Sequence, residues 1–454
     1  MIESISPING DLIASYEETT PDEVRRHLET AVALQREWAH VSVAERAPAM
    51  IRAAELLEES KDELASLMAD EMGKPVGQGR GEVEKCAWVC RHYAENAASI
   101  LQPEHIEADR SSSYVAWRPL GVVLAVMPWN FPLWQVFRFA APALMAGNGG
   151  ILKHASNVTG CALEIDRIFT EAGFPDGLFR TLVIPSSRVD EVLEHPGIVA
   201  ATLTGSDPAG RAVAAKAGGL LKKTVLELGG SDPYLILEDA DLVKAAETCA
   251  TSRLINGGQS CIAAKRFIVD KSVVEEFTDL LTSKLGEAVV GDPHDESTTL
   301  GPMARVDLRD ELHQQVESSV GSGGRLVMGG KKPTGPGAFY PPTVLAGVED
   351  GMAVYREETF GPVAAIIEAD DTDHAIEIAN DSEFGLGAAV FTEDVEKGEG
   401  IARDHLEAGA CFVNAFVASD PRLPFGGIKM SGYGRELSDL GMKEFLNAKT
   451  VVVA

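Results

Sequence analysis

Three short segments of this chain carry side chains of the types that do covalent chemistry. Cys261 ends the run Asn256-Gly257-Gly258-Gln259-Ser260-Cys261. A thiolate is a strong nucleophile, and the small residues before it let a ligand approach the backbone closely. Asn130 lies in Pro128-Trp129-Asn130-Phe131-Pro132. The two prolines hold the loop's φ angles and leave few competing N–H donors. The Asn130 amide is therefore a candidate donor to an oxyanion formed by thiolate attack, beside the Cys261 backbone N–H. Glu227 opens Glu227-Leu228-Gly229-Gly230, at the end of a run that reads as a strand. A carboxylate there is partly desolvated, which raises its pKa and suits a general base. Each residue also has a plainer reading: an inert buried thiol, an amide that satisfies turn backbone, and an edge-of-sheet ion pair.

The bulk composition sets the frame for these residues. A chain of 454 residues exceeds what one core usually supports, so two or three domains are expected. Hydrophobic residues at 45% and aromatics at 6% fit a folded soluble chain. No run approaches the roughly 18 apolar residues of a membrane span. The opening Met1-Ile2-Glu3-Ser4 lacks the basic and apolar regions of a signal peptide, so a cytoplasmic location is expected. Lys+Arg 40 against Asp+Glu 69 gives a net charge of −29, which argues against nucleic-acid and membrane partners. That charge fits either adaptation to high salt or an acid-leaning soluble protein. Six cysteines in a chain this long are no disulfide framework and suit a reducing cytosol. Cys86 and Cys90, four apart in a helical stretch, read as packed positions. No Cys-x-x-Cys, His-Glu-x-x-His or histidine cluster occurs, so no metal site is expected.

The elements that must position the chemistry follow from periodicity. Residues 21–100 read as long helices, with apolar residues three and four apart in Ala47-Met50-Ile51-Ala54-Leu57 and a break at Gly73-Lys74-Pro75. From 114 onward the period changes. Strands are predicted at 114–117, 122–127, 150–153, 179–184, 199–204 and 224–228, with helices at 133–146, 159–172, 187–194 and 209–218 between the later ones. This alternation implies a doubly wound α/β fold with a mostly parallel sheet. Such sheets bind ligands beyond the carboxyl ends of their strands. Asn130, Lys153 to Ser156 and Thr204-Gly205-Ser206 all follow predicted strands and should share one edge. A second α/β unit is predicted from about 229 to 425: strands at 265–269, 363–367, 387–391 and 410–413, helices at 241–255, 272–289, 305–319, 373–380 and 395–406. Stretches rich in Pro and Gly at 329–342 and 424–434 are expected to be functional loops or crossings. The tail Thr450-Val451-Val452-Val453 is short and β-branched, an edge that invites pairing with another subunit.

The three motifs, and the order of elements over nearly all 454 residues, resemble the aldehyde dehydrogenase superfamily. The chain lacks Gly-x-Gly-x-x-Gly, consistent with that resemblance. The resemblance implies two doubly wound α/β domains plus a small β oligomerisation element: a cofactor domain at 1–228 with 101–120 lent to oligomerisation, a catalytic domain at 229–425, and a return at 426–454. It implies Cys261 as nucleophile, Asn130 as oxyanion donor and Glu227 as the base that hydrolyses a thioester. Trp129, Leu228 and Thr204-Gly205-Ser206 would line the cofactor site, Glu358 would hold the nicotinamide ribose and Phe360 would pack beside the nicotinamide. Some NAD-preferring members carry a Glu where this chain has Ser156. With Lys153 three residues earlier, the pocket has room and charge for a 2′-phosphate, so NADP is favoured and NAD remains possible. Within the superfamily the loop after Trp129 resembles the succinate-semialdehyde branch: Arg138 would receive the distal carboxylate, Ser419 would assist, and Trp134 would line a narrow, partly apolar tunnel. The second arginine of some members is replaced by Ile255, with Arg253 nearby and out of register. The expected partner is thus a small aldehyde, in a homodimer or homotetramer. The alternatives are a dehydrogenase for a neutral aldehyde, with Arg138 in a structural ion pair, and a non-catalytic protein on the same fold.

Overall fold

The computed structural model describes residues 1–454. The chain opens with an antiparallel hairpin, β1 (Ile2–Ile5) and β2 (Leu12–Tyr16), which sequence periodicity did not announce. Helices follow at Pro21–Trp38, Val43–Glu59, Lys61–Met72 and Val76–Ile100. Thr20 with Glu23, and Ser42 with Glu45, form reciprocal capping boxes at the first two starts. Gly73, at φ 77°, ends the third. A Cβ there would lie 2.6 Å from the Pro302 carbonyl oxygen, so the turn needs glycine on two counts. Two strands leave this layer, β3 (Glu104–His105) and the long β4 (Ser112–Pro119).

The next strands are β5 (Val122–Met127), β6 (Gly149–His154), β7 (Phe179–Thr181), β8 (Ile198–Thr204) and β9 (Lys223–Glu227). They form a parallel sheet in the order β9-β8-β5-β6-β7. Its β7 is shorter than the predicted strand, ending at Thr181. The Trp134–Met145 helix after β5 is buried along its whole length, which its near-continuous apolar sequence requires. Because β5, β6, β8 and β9 run parallel, Asn130, Ser156, Thr204 and Glu227 come to the carboxyl edge of one sheet.

The chain crosses to a second sheet at Leu228–Ser231. There β10 (Asp232–Ile236), β11 (Ala264–Asp270), β12 (Arg325–Met328), β13 (Thr343–Ala346), β14 (Val363–Ala369), then β16 (Gly387–Phe391), which follows the two-residue β15 (Phe384–Gly385), and β17 (Ala410–Val413) assemble in the order β12-β13-β14-β11-β10-β16-β17. All neighbours are parallel except β12 with β13. The sequence reading missed β10, β12 and β13. Asp232-Pro233 masks the start of β10, yet all five of its residues are buried at the sheet centre. The 329–342 stretch joins the β12–β13 edge pair and packs on the N-terminal hairpin through Ala338 N–H to Pro7 O; no candidate site residue lies on it. After β18 (Ile428–Lys429), β19 (Gly432–Tyr433) returns to pair with β9, and β20 (Leu446–Val453) pairs along all of β4.

One buried ion pair ties the helical layer to the site edge. Lys74 meets Glu82, both almost without solvent exposure. The other Glu82 oxygen accepts the N–H groups of Leu133 and Trp134, at 2.9 Å each, at the start of the buried helix. Lys74 also donates to the Asn130 carbonyl at 3.0 Å. Removing one partner of such a pair strands the other charge. Glu82→Ala is expected to destabilise the fold by about 3–5 kcal/mol, and Glu82→Gln by less because it keeps an acceptor for the two N–H groups. Thermal unfolding checks this; an Ala variant melting within about one degree of wild type would refute the brace.

Candidate active site

The nucleophile loop is a left-handed excursion. Asn256, Gly257 and Gly258 take φ of 55°, 63° and 76° in succession. A Cβ on Gly258 would sit 2.3 Å from the Gly361 carbonyl oxygen, so only glycine passes there. Arg253, buried, donates to the Gly258 carbonyl at 2.6 Å and to that of Val363 at 3.2 Å. It is a backbone clamp and faces no substrate space, whereas Ile255 does line that space. From β11, the buried Lys265 ammonium donates to the carbonyls of Ser260 (2.9 Å) and Cys261 (2.7 Å). The nucleophile's backbone is thus held from both sides.

Asn130 is bonded into this loop. Its carbonyl accepts Asn256 Nδ2 at 2.7 Å as well as Lys74, and its own Nδ2 donates to the Gln259 carbonyl at 3.1 Å. An amide nitrogen carries two hydrogens, so one N–H remains for a ligand. The loop is held from the other side by His154, whose Nδ1 accepts the Ala155 N–H and whose Nε2–H therefore donates to Pro132 O at 2.8 Å. Burial pushes this imidazole down to about 4, which keeps it neutral.

Cys261 stands between two chambers. One, of about 300 Å³, is walled by Phe131, Trp134, Ile262, Val417 and Phe425, and is reached by Lys85, Arg138 and Ser419. The other, of about 290 Å³, is lined by Trp129, Asn130, Thr204, Ser206, Glu358 and Phe360, with Gly205 and Leu228 at its wall. Burial pushes the Cys261 thiol up to about 12; Arg138 and Lys265 pull against that, and Glu358 and Asp232 add to it. At rest the group is a thiol.

The second chamber fits a dinucleotide. Trp129 and Phe360 meet edge-on at 5.6 Å and form an aromatic wall. Glu358 accepts the Gly230 N–H (3.1 Å) and pairs with Lys265 (3.3 Å), which leaves its second oxygen for a hydroxyl donor. Ser206 precedes the Asp207–Gly219 helix without capping it through its side chain, so that helix's first N–H groups are open to an anion. Lys153 and Ser156 do not line this chamber. Lys153 is buried with no carboxylate or hydrogen-bond acceptor in reach, and burial lowers its pKa. Ser156 is exposed just beyond β6.

Glu227, Arg138 and Glu436 form a buried trio. Arg138 pairs through Nε with Glu436 and donates from Nη2 to Thr204 Oγ1 at 3.2 Å, with Phe425 stacked at 4.8 Å. The sequence reading expected a guanidinium free for substrate. The folded chain instead engages it with Glu436, a glutamate that no sequence pattern links to it. Glu227 lies under the Gly426 backbone, lines neither chamber, and neither of its oxygens has a hydrogen-bond partner. Burial, then Glu436, push its carboxyl well above the usual range, which favours its protonated form. Trp134 and Ser419 lie on the wall of the first chamber. Sequence reasoning missed Lys74, in the break between two helices, and Glu82, Lys85 and Lys265, lone charges in helix or strand that read as solvated.

A protonated resting thiol has a kinetic signature. Iodoacetamide labelling of Cys261 in the free enzyme is expected to rise about tenfold per pH unit between about pH 7 and pH 10, following the thiolate fraction. A plateau near pH 8, read by peptide mass spectrometry, would mean that Arg138 and Lys265 outweigh burial.

Known proteins with this geometry are many. The model of the aldehyde dehydrogenase family matches residues 1–451. A relative in Synechocystis named "Probable succinate-semialdehyde dehydrogenase [NADP(+)]" is 49% identical over 453 residues, covering 100% of both chains. One in Escherichia coli named as a succinate semialdehyde dehydrogenase [NAD(P)+] is 46% identical, covering 99% of this chain and 97% of that one. The crystal structure of succinic semialdehyde dehydrogenase from Streptococcus pyogenes, in complex with NADP+, superposes with a TM-score of 0.98 at 37% identity over all of both chains. This chain belongs to the aldehyde dehydrogenase family.

Proposed function

We propose that this chain oxidises succinate semialdehyde to succinate with NADP+ and water. The observation that carries the reading is the placement of one thiol, Cys261, at the junction of two chambers, one suited to an aldehyde and one to a dinucleotide. Full-length relatives at 46–49% identity whose names carry that substrate and coenzyme support it.

The chain's own residues divide the work as follows. The thiol gives up its proton to solvent water, and the sulfur adds to the aldehyde carbon, forming a thiohemiacetal. The remaining Asn130 N–H and the Cys261 backbone N–H face the oxygen that becomes negative. NADP+, when bound, supplies the hydride acceptor that makes the thiohemiacetal a thioester. Glu227 then swings from beneath Gly426 toward Cys261, loses to solvent the proton that burial favours, takes a proton from the attacking water, and the hydroxide displaces the thiolate to release the carboxylate. Leaving the buried trio lowers the carboxyl's pKa, which makes it a base where it is needed. Lys153 and Ser156 take the 2′-phosphate, Glu358 takes ribose hydroxyls, and Phe360 packs beside the nicotinamide. The β5–β9 body serves the coenzyme and the β10–β17 body carries the nucleophile. The free edge of β20 builds a homodimer or homotetramer, and six unpaired thiols suit action in the cytoplasm.

The direct test is a panel of succinate semialdehyde and butanal, each with NADP+ and with NAD+. The expected order places succinate semialdehyde with NADP+ first in kcat/KM by at least about tenfold, some 1.4 kcal/mol. A wild type that favours butanal would end the substrate reading. Glu227→Gln is expected to give a burst of NADPH and then turnover slowed by roughly 10²–10⁴, because acylation outruns hydrolysis. A linear progress curve at the wild-type rate would remove Glu227 from the mechanism.

A further inference from the structure

The distal carboxylate of a four-carbon semialdehyde needs a cation in the substrate chamber, and three cations line it: Lys74, Lys85 and Arg138. Two are spoken for. Lys74 is paired with Glu82, and Arg138 with Glu436, each pair buried. Lys85 has no carboxylate within ion-pair distance. Its Nζ makes one hydrogen bond, to Ser419 Oγ at 2.7 Å, and lies 4.4 Å over the Trp134 ring. The nearby Asp420 carboxylate is held on both oxygens by Arg422.

We infer that Lys85, with Ser419, is the receiver of the substrate's distal carboxylate, and that Arg138 is a positioning residue for Glu436 and Glu227. This rests on the functional reading above. Ser419 accepts from Lys85, so its own hydroxyl proton is free for one carboxylate oxygen, while Lys85 has two unused N–H groups for the other. Glu82 and Lys85 are three apart on the Val76–Ile100 helix, so they share a face, and Gly81 beside them leaves open space where a Cβ would stand. Burial, aided by repulsion from Arg138, holds the Lys85 ammonium down to about 8, the mark of a charge short of a partner. A carboxylate arriving there relieves that shortage. No existing ion pair must open, whereas binding to Arg138 would have to compete with Glu436.

The test uses the full-length enzyme with NADP+ and compares succinate semialdehyde with butanal, which has the same carbon count and no carboxylate. Lys85→Met is expected to lower the ratio of the two kcat/KM values by a factor on the order of 10², mostly through KM for succinate semialdehyde. The competitive inhibition constant for succinate should rise in parallel. Lys85→Arg should restore most of the ratio, and Ser419→Ala should lower it by several-fold. The charge-neutral double variant Arg138→Met, Glu436→Met should depress both aldehydes and keep the ratio. If wild type prefers succinate semialdehyde and Lys85→Met keeps that preference, Lys85 is not the receiver. If instead the double variant alone collapses the ratio, Arg138 is. A wild type with no such preference overturns the functional reading itself, which separates the two failures.

Discussion

The site depends on one oxygen atom, the carbonyl of Asn130. It accepts the Lys74 ammonium and the Asn256 amide together, while the Asn130 side chain reaches across to the Gln259 carbonyl. Asn130 follows a strand of the first sheet; Asn256 and Gln259 lie in the turn that feeds a strand of the second. Without these bonds nothing would fix the oxyanion donor relative to the nucleophile, and displacements near an ångström already cost rate. The arrangement is buried, so each bond is stronger than it would be in water and each missing partner costs more. Lys74 bears that cost through Glu82, which in turn caps the helix leaving the Asn130 loop. Oxyanion donor, nucleophile and helix layer therefore behave as one polar network.

A second constraint is charge arithmetic in a dry interior. Glu227 and Glu436 are two buried carboxyls with one guanidinium, Arg138, beside them. Arg138 forms its ion pair with Glu436, and Glu227 forms none. Only one negative charge is compensated there, so the other carboxyl keeps its proton. The cysteine obeys the same rule. Two cations near it do not offset burial, and it rests as a thiol. Burial thus disfavours the charged, reactive form of nucleophile and base alike. Each becomes reactive when its surroundings change: for Glu227 by leaving the trio, for Cys261 when the chambers fill.

How much of this was legible in the sequence depended on whether the signal was local. Cys261, Asn130 and Glu227 stood out because glycine and proline mark the turns that place them, and those turns are built from neighbouring residues. The parallel strands β5, β6, β8 and β9 were visible for the same reason. β10 was hidden because a buried central strand of five residues has no alternation, and Asp232-Pro233 reads as a turn. The N-terminal hairpin was hidden because its strands of four and five residues hold mixed polar sequence. Lys74, Lys85, Lys265 and Glu436 were illegible for a different reason. Their meaning lies wholly in partners from other elements, and a lone lysine on a helix looks solvated until the fold removes the water. Arg138 shows the same blindness from the other side. The loop motif placed it on the chamber wall, where it is, but it could not reveal the glutamate nearly 300 residues later that claims its charge.

The net charge of −29 bears on this last point. An anionic aldehyde approaching so acidic a surface meets repulsion, damped beyond a Debye length of about 8 Å at physiological salt. Long-range steering therefore cannot concentrate the substrate; attraction must come from inside the chamber. A cation already cancelled by a buried carboxylate contributes little field there. One left uncancelled, and shielded from salt by the walls around it, contributes most where a carboxylate would sit. The surface and the chamber thus place opposite demands on charge: acidic groups outside for solubility, and inside, a single positive group without a protein counter-ion.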